Sequence, residues 1–149
     1  MALDEYKSKR DFSKTREPDG SGPVESRQLP RFVIQEHDAS HLHYDFRLEI
    51  NGVLKSWAVP KGVPLESGLR RLAVQTEDHP LEYISFEGEI PQGEYGAGTV
   101  KIFDTGHFVL HKQDDKKIEF ELLGNKYFGN YALIHTGEKN WLIIRKKGA

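Results

Sequence analysis

The sequence predicts an all-β fold, a compact β-barrel of about eight to ten short antiparallel strands with little helix. About ten short segments rich in β-branched and aromatic residues follow one another between residues 32 and 146. Turn signals built from Gly, Pro, Asn and Asp separate these segments at regular intervals. Almost no segment has the 3.6-residue period of an amphipathic helix, so the core is predicted to lie between strands.

Length and composition narrow the class of protein. The 149 residues suffice for one domain with a real core. Hydrophobic residues make up 37% of the chain and no apolar segment is long enough to span a membrane, so we expect a cytoplasmic monomer without a membrane partner. The absence of cysteine excludes disulfides, zinc knuckles and thiol catalysis. The formal net charge of -2 gives no global attraction for nucleic acid, so such binding requires local basic clusters.

Residues 1–30 are predicted to form a basic N-terminal arm that contributes to the active site, and residues 31–149 to form the barrel. The first segment contains few apolar residues, several Pro and Gly breakers and at most one helical turn, over residues 3–7. A cluster of basic residues stands out within it, Lys7, Lys9, Arg10, Lys14 and Arg16. We expect the arm to order over a phosphate-bearing ligand; the alternative is a tail without a role.

Three strands are predicted directly after the arm. They cover residues 32–37, 42–50 and 53–59. Asn51-Gly52, flanked by alternating residues on both sides, is a strong signal of a two-residue hairpin between the second and third strands. Such a turn fixes the register and places Asp45 opposite the small residue Ala58, which leaves space above Asp45.

The rest of the chain is predicted to consist of further short strands. They cover residues 71–76, 83–87, 99–103, 107–111, 117–123, 130–135 and 141–146. Thr105-Gly106 is interpreted as a turn, and residues 64–68 as a loop or one helical turn.

The second strand has one apolar and one polar face. The polar face carries His41, His43, Asp45, Arg47 and Glu49. His43 and Asp45 point the same way, and His37 adds a second imidazole from beyond a short turn. Two histidines and one carboxylate leave coordination positions open, which is typical of a catalytic metal. The alternative is a solvated strand face, but exposed strand residues are normally Lys, Glu and Thr, so we favour the metal site.

Other candidate features are weaker. The Gly93–Gly98 loop lacks the Lys-Ser/Thr ending of a P-loop and is interpreted as a tight connection between strands. His79 lies in an Asp-His-Pro corner, where we expect its side chain to be presented rather than buried. If the barrel brings four cations to a mouth that holds the metal, they would form a clamp for phosphoryl oxygens. These cations are Arg10, Arg47, Lys61 and Arg71.

An ordered series of motifs runs through the chain from about residue 3 to residue 147. The motifs are Lys9-Arg10-Asp11-Phe12, Glu17-Pro18, Phe32-Val33-Ile34-Gln35, Leu42-His43-Tyr44-Asp45-Phe46-Arg47-Leu48-Glu49, Leu54-Lys55-Ser56-Trp57-Ala58-Val59-Pro60-Lys61-Gly62, Arg71-Leu72-Ala73-Val74, Glu77-Asp78-His79-Pro80-Leu81-Glu82-Tyr83, Phe86-Glu87-Gly88 and Tyr95-Gly96-Ala97-Gly98. In these motifs the chain resembles the phosphoesterase domain of bacterial DNA ligase D and its stand-alone archaeal relatives, whose fold is a compact β-barrel.

The resemblance implies a set of site residues. It implies that His37, His43 and Asp45 bind a catalytic Mn²⁺ ion, with Co²⁺ or Zn²⁺ as other metals for the same site. The implied phosphate-binding residues are Arg10, Gln35, Arg47, Lys61, Arg71 and His79. The implied catalytic residues are Asp11, Glu17, Arg47, His79 and Tyr83. Within this set, His79 is the candidate for transition-state stabilisation or for protonation of the leaving oxygen.

The resemblance also implies an activity, 3′-end healing in DNA repair by end joining. A diesterase step releases the terminal ribonucleoside of a primer–template and leaves a 3′-phosphate, and a monoesterase step removes that phosphate. The motifs include no ligase or polymerase module, so a separate DNA ligase is the expected partner. One departure is His41, which stands where a basic Arg is expected.

Two other functions remain open from the sequence. A non-haem iron oxygenase also uses two histidines and a carboxylate, but there the second His normally follows the His-x-Asp pair, whereas His37 precedes it. The other is a non-catalytic nucleic-acid-binding barrel of the OB type, which the nearly neutral composition disfavours.

Overall fold

A computed structural model describes residues 3–21 and 29–147, and in these two ranges strands dominate. The helical elements are helix α1 (Asp4–Ser8) and a 3-10 helix (Leu81–Ser85). The strands are β1 (Arg31–Asp38), β2 (Leu42–Ile50), β3 (Val53–Val59), β4 (Arg70–His79), β5 (Gly88–Ile90), β6 (Gly98–Gln113), β7 (Lys117–Gly124), β8 (Phe128–Gly137) and β9 (Asn140–Arg145). Neither helix is long and apolar enough to cross a membrane. Residues 22–28 of the predicted arm lie outside the described ranges.

Eight of these strands close into an antiparallel barrel. They are hydrogen-bonded in the order β1-β2-β3-β4-β9-β8-β7-β6, and pairing of β6 with β1 completes the circle. The short strand β5 pairs with the first residues of β6 as an extra strand. The predicted all-β barrel with little helix is therefore confirmed.

The β2–β3 hairpin has the register that the turn signal predicts. Asn51 and Gly52 both have positive φ, 55° and 82°, as the type I′ turn requires. Ile50 pairs with Val53, and Asp45 pairs with Ala58. The side chain at each position of β2 therefore points to the predicted face.

The barrel has two separate apolar clusters, one inside and one outside. The inner cluster fills the barrel with side chains from every barrel strand, among them Phe46, Trp57 and Phe120. The outer cluster lies against β1 and β3. It consists of Tyr6, Val33, Leu54, Tyr83 and Ile84, with Phe12, Leu81, Phe86 and Ile102 packed against it. Helix α1, the arm and the 3-10 helix thus cover one outer side of the barrel.

Three expectations about local structure are wrong. The strand predicted over residues 83–87 is a 3-10 helix followed by β5, because Tyr83 and Ile84 both pack into the outer cluster, whereas neighbouring strand residues would alternate. The predicted turn at Thr105-Gly106 lies within the continuous strand β6, which pairs with β1 and β7 there. At Gly106 a Cβ atom would lie 2.3 Å from the carbonyl oxygen of Leu123, so the glycine allows close strand approach rather than a turn.

The third concerns His79, which ends strand β4 and is buried instead of being presented by a loop. The chain turns after His79, at Pro80, which directly precedes the 3-10 helix.

Candidate active site

The polar row of β2 lies on the outer face of the barrel, beneath the arm, and not at a barrel mouth. Strand pairing brings the polar residues of β1 and β2 side by side, because His37 pairs with His43 and Gln35 with Asp45. Asp45 is only 7% exposed and Arg47 only 3% exposed. A solvated strand face would leave these charges in water, so the burial requires partners for them.

The three predicted metal ligands converge. One ligand atom from each of His37, His43 and Asp45 lies within 4.8 Å of the others. The Nδ1 atom of His37 is 3.3 Å from Oδ2 of Asp45, and Nε2 of His43 is 3.3 Å from Oδ1 of the same carboxylate. The imidazole rings flank the carboxylate, with 4.7 Å between their centroids.

The remaining ring nitrogens fix the orientation of both histidines. Nε2 of His37 lies 2.7 Å from the carbonyl oxygen of Gly96, and Nδ1 of His43 lies 3.0 Å from that of His41. Each ring therefore has an oxygen at both nitrogens, whereas a neutral imidazole has one N–H. If each N–H donates to the carbonyl, a divalent cation between the other nitrogens and Asp45 satisfies every group, which is the second-shell arrangement of metal-binding histidines. The residues present thus fit a metal ion.

The pKa values of the same groups have a consistent direction. Burial raises the pKa of Asp45, but hydrogen bonds from His37 and His43 and the charge of Arg47 outweigh it and hold the pKa far below its usual range. The hydrogen bond with Asp45 raises the pKa of His43. Asp45 is therefore an anion at neutral pH, as a metal ligand must be.

Arg47 is held rigidly beside the three ligands. Its Nε donates to Oε1 of Gln35 at 2.7 Å, and its Nη2 is 3.5 Å from Oδ2 of Asp45. Its Nη1 lies 3.2 Å from Nδ1 of His79, and the guanidinium lies 4.8 Å from the ring centroid of Tyr83. This places a fixed buried cation next to the ligands, where an anionic group of a substrate would be attracted.

His79 lies between two arginines. Its Nδ1 is 2.9 Å from the carbonyl oxygen of Glu77, and its Nε2 is 3.5 Å from Nη2 of Arg10. Burial lowers the pKa of His79 well below its usual value, and the charges of Arg47 and Arg10 lower it further. The ring is therefore neutral at rest.

The arm is anchored to this site by buried charges. Arg10 donates from Nε to Glu17 at 3.0 Å and from Nη1 to Glu77 at 3.1 Å. The hydroxyl of Tyr83 donates to Oε2 of Glu17 at 2.7 Å, and burial raises the pKa of Tyr83, so the hydroxyl keeps its proton. The Arg10 guanidinium lies over the ring of Tyr6, 3.9 Å from the ring centroid.

A cavity of about 320 Å³ joins the ligands to these charged residues. Most of the site residues expected from the sequence line it. They are His37, His43, Asp45, Arg10, Glu17, Arg47, His79 and Tyr83. The structure brings one end of the arm, the strands β1, β2 and β4 and the 3-10 helix together at this point.

Four of the expected residues do not line the cavity. Gln35 is fully buried behind it, where its Nε2 donates to the carbonyls of Tyr83 and Phe86 while its Oε1 holds Arg47. Lys61 and Arg71 line a second cavity of about 260 Å³, and Arg71 donates to the carbonyl oxygen of Lys61. Asp11 is exposed and accepts hydrogen bonds from Ser13.

Several residues of the cavity were not expected from the sequence. Glu77 could have been found, because it alternates with His79 and so points to the same side of β4. Tyr95 and Gly96 come from the loop interpreted as a simple connection, and no local signal indicates that its carbonyl contacts His37. His41 contributes through its main-chain carbonyl, while its own residue is exposed.

Two histidines and a carboxylate converge here on the outside of a β-barrel, beside buried arginines. These residue types suit a metal-assisted site for phosphate esters. Residues 35–135 match the family model described as the DNA Ligase D 3'-phosphoesterase domain. The chain belongs to this family.

Curated relatives support the assignment. The chain is 48% identical over 155 residues to the multifunctional non-homologous end joining protein LigD of Pseudomonas aeruginosa, and 49% identical over 156 residues to that of Mycolicibacterium smegmatis. It is 48% identical over 149 residues to the multifunctional non-homologous end joining DNA repair protein LigD of Mycobacterium tuberculosis. Each match covers 97% of the chain but only 18% to 20% of the relative, so the chain spans about a fifth of these proteins.

Proposed function

We propose that the protein is a Mn²⁺-dependent 3′-phosphoesterase that heals DNA 3′ ends in end joining. It removes the terminal ribonucleoside of a primer–template to leave a 3′-phosphate, and it then removes that phosphate to leave a 3′-hydroxyl. The observation that carries this proposal is the meeting of the three ligands with Arg47, His79 and the arm residue Arg10 in one cavity. Co²⁺ or Zn²⁺ is accepted at the same site.

Nδ1 of His37, Nε2 of His43 and the Asp45 carboxylate would hold the ion. When bound, a divalent cation supplies Lewis-acid polarisation of a phosphoryl oxygen and neutralises part of its charge. With their N–H groups donating to the carbonyls of Gly96 and His41, both imidazoles would present the other ring nitrogen to the ion.

Arg47 binds the phosphoryl group beside the ion. Its guanidinium is buried, and Gln35 holds its Nε, so it loses little freedom when an anion arrives. Its Nη2 atom lies beside Asp45 and its Nη1 atom beside His79, and both of these residues line the cavity. A fixed cation of this kind stabilises the charge that develops on non-bridging oxygens in the transition state. Gln35 acts through Arg47 and not by contact with phosphate.

His79 and Arg10 complete the phosphate pocket. The lowered pKa keeps the His79 ring neutral while no phosphate is bound beside the two arginines. A bound phosphoester offsets the arginine charges and favours the protonated ring, which then donates to a phosphate oxygen or to the leaving oxygen. Glu17 and Glu77 hold Arg10 in place and Tyr83 holds Glu17, so the arm contributes to the site through this network. Asp11 accepts hydrogen bonds from Ser13 within the arm, so its assigned role is to fix a local turn there.

Lys61 and Arg71 line the second cavity together with Tyr44 of β2. Tyr44, which lines their cavity, lies between His43 and Asp45 in β2 and packs against the inner cluster on the opposite face. The second cavity is thus adjacent to the metal ligands across the thickness of one strand. We assign to these two cations an upstream phosphate of the primer–template, away from the ester that is cut.

End labelling of a primer–template with a 3′-terminal ribonucleotide tests the function. We expect Mn²⁺ to support shortening to a 3′-phosphate and then to a 3′-hydroxyl, and chelation to stop both steps. His43→Ala should abolish both, and His107→Ala, an exposed β6 residue away from the cavity, is the matched control. Cleavage that survives chelation and His43→Ala would contradict the proposal. Turnover of 2-oxoglutarate with ferrous iron would indicate the oxygenase instead, and binding without any product would indicate the OB-type barrel.

A further inference from the structure

The loop from Pro91 to Gly98 does more than connect two strands. It folds as two successive turns, in which the N–H of Glu94 donates to the carbonyl of Pro91 and the N–H of Ala97 to that of Glu94, both at 3.1 Å. The second turn presents the Gly96 carbonyl to His37. The loop is therefore fixed relative to the metal ligands, and a side chain on it has a defined position beside them.

Tyr95 is the side chain that this loop holds at the cavity. It lines the cavity although 47% of the residue is exposed. Among the described residues, the exposed large hydrophobics include just two aromatic side chains, Tyr95 and Phe128, and Phe128 lies away from every cavity described above. An exposed aromatic ring at the rim of a polar site is an available stacking surface.

Two cations of the arm hold the Tyr95 ring. Nζ of Lys9 lies 4.7 Å from the ring centroid and donates to the hydroxyl at 3.4 Å. The Arg10 guanidinium lies 5.3 Å from the same centroid. Because Lys9 also pairs with Glu77 at 3.3 Å, the ring is tied to the residues around the phosphate pocket. The ring is thus positioned before a substrate arrives.

We propose that Tyr95 stacks on the base of the terminal nucleoside that the diesterase step releases. This inference rests on the proposed function, because it places the phosphate between the ligands and Arg47. The nucleoside attached to that phosphate must then leave through the cavity opening, where Tyr95 is exposed. Stacking accepts every base, since each base has a π-face, and it needs no sequence readout. Tyr95 is therefore a substrate-positioning residue.

The step in which Tyr95 takes part balances without a further reactant. Water forms a new bond to phosphorus, the bond from phosphorus to the 5′ oxygen of the terminal nucleoside breaks, and one proton passes in net from the water to that oxygen. Stacking leaves this chemistry unchanged. Stacking positions the leaving nucleoside, so its effect on cleavage should depend on the presence of a base and not on the ester itself.

Two primer–templates test the proposal, one ending in a ribonucleoside and one ending in an abasic ribose with the same ester. We expect the wild type to cleave the base-bearing end with a kcat/KM roughly tenfold higher than the abasic end. Tyr95→Ala should remove this preference, so that the two ends are cleaved alike. Tyr95→Phe should keep it because the ring remains. Phe128→Ala, which removes the other exposed aromatic, should keep it as well.

The outcomes separate the two proposals. If Tyr95→Ala cleaves both ends and retains the wild-type preference for the base, stacking by Tyr95 is overturned while the phosphoesterase function stands. If Tyr95→Ala weakens both ends by the same factor, its role is structural and the stacking proposal is again overturned. If the wild type cleaves neither end with Mn²⁺, the proposed function fails and the inference fails with it.

Discussion

The two faces of β2 are both buried at the centre of the strand but differ in what they contribute. On the inner face, Phe46 and Leu48 are fully buried in the apolar core. On the outer face, Asp45 and Arg47 are 7% and 3% exposed, yet they are charged. Burial of apolar groups stabilises the fold, whereas burial of charges costs free energy that their ion pairs roughly offset. Under the proposed function the outer face serves the chemistry, and substitutions on the two faces should have opposite consequences for activity and stability.

The largest expected effect is on activity, from Asp45→Asn. The amide keeps the shape of the side chain but removes the negative charge that the two histidines and the proposed metal ion contact. We expect kcat on the ribonucleotide-ended primer–template to fall at least about a thousandfold, while the melting temperature changes by a few degrees only. Parallel activity and calorimetry measurements check this. Near-normal cleavage by the variant would remove Asp45 from the site.

The neighbouring residue should show the reverse. Phe46→Ala leaves a cavity in the barrel core, where the ring stacks on Phe120 at 5.8 Å between centroids. We expect a loss of about 3–5 kcal/mol in the free energy of unfolding, measured by urea titration. The fraction that remains folded should retain Mn²⁺-dependent cleavage. If instead activity is lost in protein that is still folded, the two faces of β2 are not separable in this way.

A smaller effect is expected from Lys61, which is exposed and lines the second cavity. Lys61→Gln should raise KM for the primer–template a few-fold, leave kcat nearly unchanged and lower the salt slope of binding by about one. Gel-shift measurements at several salt concentrations check the slope. A large fall in kcat would indicate instead that Lys61 contacts the ester that is cut.

Another small effect concerns the acid stability of the contacts that anchor the arm. Burial raises the pKa of Glu77, but hydrogen bonds, including that from Arg10, outweigh it and lower the pKa below 4.5. A lowered pKa in the folded state stabilises the protein above the unfolded-state value, and this contribution is lost as the pH falls through the folded-state value. Glu77→Gln should therefore cost about 1–2 kcal/mol at pH 7, and the gap to the wild type should narrow below about pH 4.5.

Chemical denaturation at pH 7 and pH 3 measures this gap. Glu119→Gln, which removes an exposed ion pair with Lys117 and Lys146, is the matched control and should leave stability nearly unchanged at both pH values. A Glu77 gap that widens in acid would contradict the assigned direction of the pKa.

The barrel class and the convergence of His37, His43 and Asp45 could be predicted from the sequence because local rules govern both. Alternation in β2 separates the polar from the apolar residues, and Asn51-Gly52 sets the hairpin register without help from the rest of the chain. The three candidate ligands come from β1 and β2, which are joined by a short connection, so their convergence also depends on short-range pairing.

The parts that could not be predicted depend on contacts between distant segments. Gly106 resembles a turn residue until the close approach of β7 is known. Lys61 and Arg71 are cations close in sequence to the site, yet they line a cavity on the other side of β2. The closure of the arm over the site depends on Arg10 meeting Glu77, 67 residues away in sequence, and no local pattern encodes that meeting.

Crystals soaked in Mn²⁺ provide the most direct test, because anomalous diffraction locates the ion independently of activity. We expect a single strong peak on the outer face of β1 and β2, about 2.0–2.3 Å from Nδ1 of His37, Nε2 of His43 and an oxygen of Asp45. Asp45→Asn crystals should lack this peak. An ion bound elsewhere, or no ion at these three side chains in the wild type, would contradict the proposed metal site and the end-healing function based on it.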